Sequence, residues 1–388
     1  MTSEMSNAGL EILKDLVRIN SVNPSLVEGG AGERQIAAFL HSFLERKGIA
    51  STLQEVGAGR FNVIATVTGA LPGPRFLLNG HLDTVSIEGM VSPFEPVERD
   101  GRVYGRGAQD MKSGLAAAIT ALLAVRENQA ALKGQVVLAA VADEEDQSLG
   151  TQYFLQNWPV STPFDFALVM EPTDLKVCNA HKGFAWLEVR TQGVAAHGSR
   201  PQEGVDAIRA MSQILLELDR LEKRLGELPA HPLLGRGSLH ASFIEGGREW
   251  SSYPDHCVLK YERRILPTES SAQLESELND ILGGLKARDP RFKAEARLVF
   301  WRAPFLTERE QPEIARFYRT AKELLPDDVD WGAASFWTDA ALLSEAGIPS
   351  LVFGPRGAGL HSVEEYVIAA DVGNCAEAIY RFVMQALV

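Results

Sequence analysis

From Phe61 to Met170 the chain alternates short, nearly continuous apolar runs with stretches of helical period. Phe76-Leu77-Leu78, Val136 to Ala142 (VVLAAVA) and Phe166 to Met170 (FALVM) are the main runs, and Ser350 to Phe353 (SLVF) is a fourth near the C-terminus. Apolar runs of this length, flanked by helical patterns, read as strands buried on both faces of a parallel sheet. Ile36, Phe39, Leu40, Phe43 and Leu44 recur at helical spacing and stop at Gly48, while Met111 to Asn128 is a helix dominated by Ala and Leu. Strand and helix in alternation define an α/β unit.

Past Lys182 the pattern changes. AWLEVRTQG alternates as a half-buried strand does, and residues 204–222 form an amphipathic helix through Ile208, Met211, Ile214, Leu215 and Leu218. Strand-like LHASFIEGG and HCVLKYERRI follow, then a helix over 270–285 and a strand in AEARLVF. That β-α-β-β-α-β order is the ferredoxin-like split unit with an antiparallel sheet. The expected fold is therefore α/β: a mixed, mostly parallel sheet sandwiched by helices, with an inserted α+β ferredoxin-like lid domain. The expected boundaries are 1–181 and 300–388 for the two parts of the larger domain and 182–299 for the insertion.

Chemistry collects where the apolar runs end. NGHLDT places His81 after the first run, ADEEDQ places Glu145 after the second, and Glu171 follows the third directly. The fourth ends in Gly354-Pro355 and a glycine-containing loop that delivers His361; Asp110 stands in GRGAQDMKSG, before the Ala-rich helix. Open α/β sheets bind ligands at the carboxyl ends of their strands. Two imidazoles and three carboxylates converging there suit a pair of zinc ions, with cobalt or manganese as substitutes.

With 388 residues the chain suits two domains, and a net charge of −13 argues against nucleic acid or an anionic membrane as the main partner. No apolar run is long enough to span a membrane. The N-terminus carries early acids on a helical pattern rather than a basic region followed by an apolar stretch, so the expected location is cytoplasmic. Cys178, Cys257 and Cys375 have no paired spacing and read as buried thiols.

Together the motifs NGHLDTV, GRGAQDMKSG, DEE, MEP, AAHGSRPQEG, GG with YPD, RRILP and GLHSVEEYV resemble the two-zinc hydrolases that include aminoacylase, acetylornithine deacetylase, succinyl-diaminopimelate desuccinylase and carboxypeptidase G. The resemblance implies that Asp110 bridges two metals, that His81 and Glu171 complete one site, and that Glu145 and His361 complete the other. It makes Asp83 the carboxylate that orients His81, and Glu144 the general base and acid for a hydroxide held between the metals. It further implies a cis peptide at Asp110–Met111, an oxyanion donor in His197, a substrate-carboxylate clamp in Arg264, and a homodimer formed through the lid. Where many members carry Asn, this chain has Ser251, so that pocket position is altered. Glu171 fits the deacylase and carboxypeptidase branch. Arg263, on the opposite face of its strand, is expected not to be interchangeable with Arg264, so that Arg263→Ala has only a mild effect on hydrolysis.

The expected activity is removal of an N-acyl group from an amino acid, or cleavage of a small C-terminal amide bond, with a small N-acyl amino acid or peptide as substrate. A di- or tripeptidase is the nearest alternative. An inactive binding or regulatory protein on the same scaffold is the alternative of another class, and the complete ligand set with Glu144 argues against it.

Overall fold

The computed structural model describes residues 2–388, with side chains from Glu4 onward. Two compact units emerge: one takes the chain up to Ala180 together with Leu306–Ala334 and Thr338–Val388, the other His181–Phe305 and Ser335–Trp337.

The first unit is built on a mixed nine-stranded sheet. At its centre Lys133–Val141, Leu71–His81, Phe166–Val169 and Ser350–Val352 lie side by side and parallel. These are the strands that the four apolar runs predict. The margins are antiparallel, with Ala50–Gly57 and Arg60–Thr68 on one side and Val177–His181 on the other. Interior strands of this kind bury both faces, which explains why Val136 to Val141 reads as one unbroken apolar run.

The helix Lys112–Glu127 is buried on every side along most of its length, so it shows no polar stripe. Thr2–Val17 and Ala369–Leu387 pack against it. On the sheet Phe76, Phe166, Phe317 and Phe382 form an aromatic cluster, with ring centres 5.1 Å apart for Phe76–Phe382 and 4.9 Å for Phe166–Phe382. Gly114 lets the helix approach the end of the third strand, because a Cβ there would collide with the Met170 carbonyl.

A small second sheet in this unit was not foreseen. Gly357–Ala358, Tyr366–Ile368, Arg102–Tyr104 and Val97–Arg99 pair in that order, and all are antiparallel. It seats the loop bearing His361 beside the strand that leads to Asp110. Strands of two or three residues are too short to show an alternation.

The second unit holds a four-stranded antiparallel sheet, ordered Ser238–Gly246, His256–Ile265, Gly183–Gln192 and Lys293–Arg302. Ala207–Glu227 and Ser271–Arg288 pack on one face; Ser270 and Gln273 form a capping box at the start of the latter. The first of these helices buries Ala207, Met211, Ile214, Leu218, Leu221 and Leu225, spaced four and three apart in turn. Ile208, expected on that stripe, is 43% exposed, because one residue from Ala207 is a rotation of about 100°.

Candidate metal centre

The parallel strands end at one edge of their sheet, and this fixes the site. His81 closes its strand in register with Val141, and Val169 lies opposite Asn79. The chain then turns sharply at Asp143, whose φ of 67° is left-handed, a region that Asp tolerates better than most residues. Arg60 and Asn23 hold that turn, donating to the Asp143 carboxylate at 2.9 and 3.1 Å. Asn23 also donates to Asp83 at 2.8 Å.

His81 and Asp110 are the centre of the cluster. His81 Nε2 lies 3.1 Å from Asp110 Oδ1, 3.6 Å from Glu171 Oε1 and 4.0 Å from Glu144 Oε2. Asp110 turns its other oxygen to His361, with Oδ2 at 3.4 Å from Nε2, and Glu145 Oε2 stands 3.2 Å from that same nitrogen. Ligand atoms in a tetrahedron with bonds of about 2.0–2.1 Å sit roughly 3.3 Å apart, so these separations match the edges of coordination polyhedra. The His81, Glu144 and Glu171 atoms, and separately those of His81, Asp110 and Glu145, all lie within 4.8 Å of one another. Glu145 Oε1 is buried with no hydrogen-bond partner. The donor set and this orphaned oxygen fit a metal.

The tautomer fits as well. His81 Nδ1 lies 2.9 Å from the Asp83 main-chain carbonyl, which can only accept, so Nδ1 carries a proton and Nε2, facing Asp110, is the nitrogen on which a metal would replace the proton. Asp83 thus orients the imidazole through its backbone; its carboxylate is 3.6 Å from Nδ1 and instead accepts the amides of Glu144 and Glu145 at 3.1 and 3.2 Å. Asp83 therefore positions the acidic loop together with the histidine. The Asp110–Met111 peptide is cis.

Electrostatics follow from the crowding of acids in a buried pocket. Burial, then the Glu171 charge, raises Glu144 well above the usual carboxylate range, and burial raises Glu171 likewise. Burial brings Glu145 up to about 7. On the His81 imidazole, burial works against protonation, but the surrounding acids, Glu171 first, overcome it and push its pKa well above normal. His361 rises to about 10 through its bonds to Asp110 and Glu145. Asp110 alone falls: burial opposes its charge, but its bonds to His361 and His81 prevail. The site holds acids that need cations beside them.

Several contributing residues gave no signal of their own in the sequence. Glu365 is buried and fully engaged: Oε1 accepts the amides of Gln109 and Asp110 at 2.8 and 3.0 Å, and Oε2 accepts Gly107 N at 3.0 Å and Arg106 Nη1 at 2.6 Å. Arg106 Nη2 donates to the Ser362 carbonyl at 3.0 Å, so this pair ties the Asp110 loop to the His361 loop. Asp339 is buried nearby and bonded to Thr151, with burial raising it to about 6. Lys112 is buried under the loop, with Nζ on the Ile19 carbonyl at 2.9 Å and a pKa brought down to about 7 by burial. GLHSVEEY and GRGAQD contain Glu365 and Arg106, but only the fold shows that one answers the other. Removing one partner of a buried pair leaves the other uncompensated. Glu365→Gln should therefore destabilise the metal-free protein by about 3 kcal/mol in urea denaturation; an unchanged midpoint would show that the clamp contributes nothing.

The remaining expected residues lie in the second unit. His197 is exposed, paired by a β-bridge with Ser252, and its Nδ1 accepts Ser199 N at 3.2 Å, which leaves the proton on Nε2. Ser251 is adjacent, its carbonyl accepting Gly198 N at 2.7 Å. Arg264 lies on the open face of the sheet. Arg263, expected on the opposite face, is 2% exposed on the helix side and bonded to Glu269 at 2.7 Å. The buried guanidinium is held in place by that partly buried acid, so Arg263 has a structural role. His181, which had no functional reading, is buried against Phe305 and Trp337.

A parallel-centred α/β sheet with clustered acids and imidazoles at its strand ends defines a metal-dependent hydrolase. The chain belongs to peptidase family M20/M25/M40, whose model matches residues 77–385. It is 29% identical over 383 residues to the acetylornithine deacetylase of Proteus mirabilis, covering 96% of this chain and 95% of that one. It is 25% identical over 394 residues to a probable succinyl-diaminopimelate desuccinylase of Staphylococcus epidermidis, covering 92% of each. Among solved structures, a tripeptidase from Staphylococcus aureus shares the fold with a TM-score of 0.76 at 19% identity, covering 98% of this chain and 99% of that one. A metallo-carboxypeptidase from Sulfolobus solfataricus has a TM-score of 0.74 at 17% identity, covering 97% and 98%.

Proposed function

We propose that this protein is a two-zinc amidohydrolase that removes the N-acyl group from an amino acid or cleaves a small C-terminal amide bond. The observation that carries the reading is Asp110 presenting one oxygen to each of two imidazoles inside a buried ring of acids. His81, Glu171 and Asp110 would hold one ion; Asp110, Glu145 and His361 would hold the other. Two such ions supply a water acidified toward a pKa of ~7 and a polarised carbonyl.

The chain's own groups do the rest. Glu144 is fixed through its backbone amide, which donates to Asp83, and its carboxylate faces His81. It takes the proton of the attacking water on an Oε atom and returns it to the nitrogen of the leaving amine. Beside cations its ionised form is favoured, which offsets the burial that raises its pKa in the metal-free chain. His197, with Nε2–H free of partners among the described residues, supplies a donor for the oxyanion that forms at the carbonyl. Arg264 grips the substrate carboxylate, and Ser251 sits beside His197 to shape the acyl or side-chain pocket.

The same reading makes the protein a homodimer through its second unit, working in the cytoplasm. Supporting the location, all three cysteines are buried and unpaired, and no helix among the described residues is long and apolar enough to cross a membrane. Mixing His197→Ala chains with Glu144→Gln chains tests the dimer: recovered activity shows that the histidine acts across subunits, and no recovery leaves a role within its own chain. The substrate class is tested by a zinc-loaded panel of N-acyl amino acids, N-succinyl compounds and di- and tripeptides, with amine release as the readout. Turnover confined to peptides would replace this reading with a peptidase, and no turnover at all would favour a binding protein.

A further inference from the structure

Behind the turn that carries Glu144 and Glu145 lies a buried guanidinium with all three nitrogens engaged. Arg60 Nε and Nη2 donate in a fork to the two oxygens of Glu33, and Nη2 also donates to Asp143 Oδ1 at 2.9 Å. Its third nitrogen, Nη1, reaches Ser25 Oγ at 3.3 Å. Glu33 and Asp143 are fully buried, and Arg60 nearly so. Glu33, just ahead of the helix Arg34–Arg46, also accepts the Asp143 amide at 3.2 Å. Asp143 closes the loop on itself: its carbonyl accepts Ser148 N, and its Oδ2 accepts Gln147 N at 3.3 Å. Asn23 then joins Asp143 Oδ1 to Asp83, whose two oxygens receive the amides of Glu144 and Glu145. A continuous chain of bonds thus runs from Glu33 and Arg60 to the backbone of both acids.

A buried ion pair adds little net stability over a well-packed apolar replacement, so stability alone does not account for this arrangement. The loop supplies another reason. Asp143, Glu144 and Glu145 are consecutive acids, and Asp83 lies against their amides, so like charges push the turn apart. Two residues of the turn, Asp143 and Ser148, also have left-handed φ of 67° and 53°, which residues other than glycine adopt seldom. His81 closes a strand and Glu171 follows one, so the pairing of the sheet sets both. Glu145 depends on the loop instead. We infer that Arg60, braced by Glu33, is a positioning residue: it keeps the turn in shape before any metal arrives, and so sets Glu145 as a ligand and Glu144 as the base. The inference rests on the two-zinc reading above and extends it to groups that are neither ligand nor base.

Arg60→Met in the full chain keeps most of the side chain's length and removes its fork. In the metal-free protein, hydrogen exchange at the amides of Glu144, Glu145, Gln147 and Ser148 should lose its protection, while the strand Lys133–Val141 stays at the parent's level. Zinc titrated against a competing chelator should show one of two binding steps weakened by roughly 10–100-fold, the scale for a residue that orients a ligand. The other step should stay within a few-fold. Turnover of an N-acyl amino acid should fall on the same scale, with KM nearly unchanged. Arg60→Lys should restore part of each, since an ammonium meets one carboxylate but lacks the planar fork. Should Arg60→Met not fold, combining it with Glu33→Gln removes the opposite charges together and gives the same readings. Protection unchanged at the four amides, protection lost equally across the sheet, or two zinc steps that both hold or both weaken alike would overturn the clamp. The deacylase reading is judged separately. A loosened loop and one weakened zinc step, in a protein that hydrolyses no N-acyl amino acid, would keep the clamp and remove that activity. Deacylase activity in an Arg60→Met protein whose loop and zinc steps match the parent would do the reverse.

Discussion

Glu144→Gln is expected to lower turnover by roughly 10²–10⁴-fold while leaving fold and metal content nearly intact. The substitution keeps the shape of the side chain but removes its ability to accept a proton from water and return it to the amine. The structure gives reason to expect little collateral damage. Glu144 is placed by its main-chain amide on Asp83 and by the turn at Asp143, neither of which involves the side chain. Burial together with Glu171 makes the carboxylate costly in the metal-free protein, so a neutral amide should raise apo stability slightly rather than lower it. Rates within a few-fold of the parent would remove Glu144 from the chemistry.

Asp110→Ala should have the broadest effect of any single change at the site. One oxygen faces His81 and the other His361, so its loss deprives both candidate metal positions of a ligand at once. Changing a group that merely orients a ligand costs 10–100-fold in affinity or activity, so losing a shared ligand should cost on the order of 10² or more in activity and reduce metal bound at equilibrium with a competing chelator. His361→Ala is the control: it should weaken one position and spare the other. Equal metal content in Asp110→Ala and the parent would show that the carboxylate is not shared.

How far the site was legible depended on whether a residue announced itself locally. His81, Glu145 and Glu171 each end an apolar run, and a parallel sheet gathers strand ends to one edge, so these could be placed from sequence. Asp110 and His361 could be nominated by motif, but nothing local says why they meet. The reason is the small antiparallel sheet of two- and three-residue strands together with Glu365, whose donors lie more than 250 positions earlier in the chain. Asn23 and Arg60 were silent for the same reason, since their partners Asp83 and Asp143 are distant in sequence. In the second unit the order of elements was readable, but faces were not always: Ile208 proved exposed, and Arg263 and Arg264, adjacent in sequence, divide into a buried guanidinium paired with Glu269 and a half-exposed one paired with Glu262. Strand alternation predicts that the two arginines differ; only the helices packed on one side decide which is structural.

The most direct test of the central claim is metal stoichiometry measured alongside amine release from an N-acyl amino acid, before and after exhaustive chelation. The account predicts two ions per chain at full activity, loss of turnover as they are removed, and recovery with zinc or cobalt. Undiminished turnover in protein stripped of metal would contradict it.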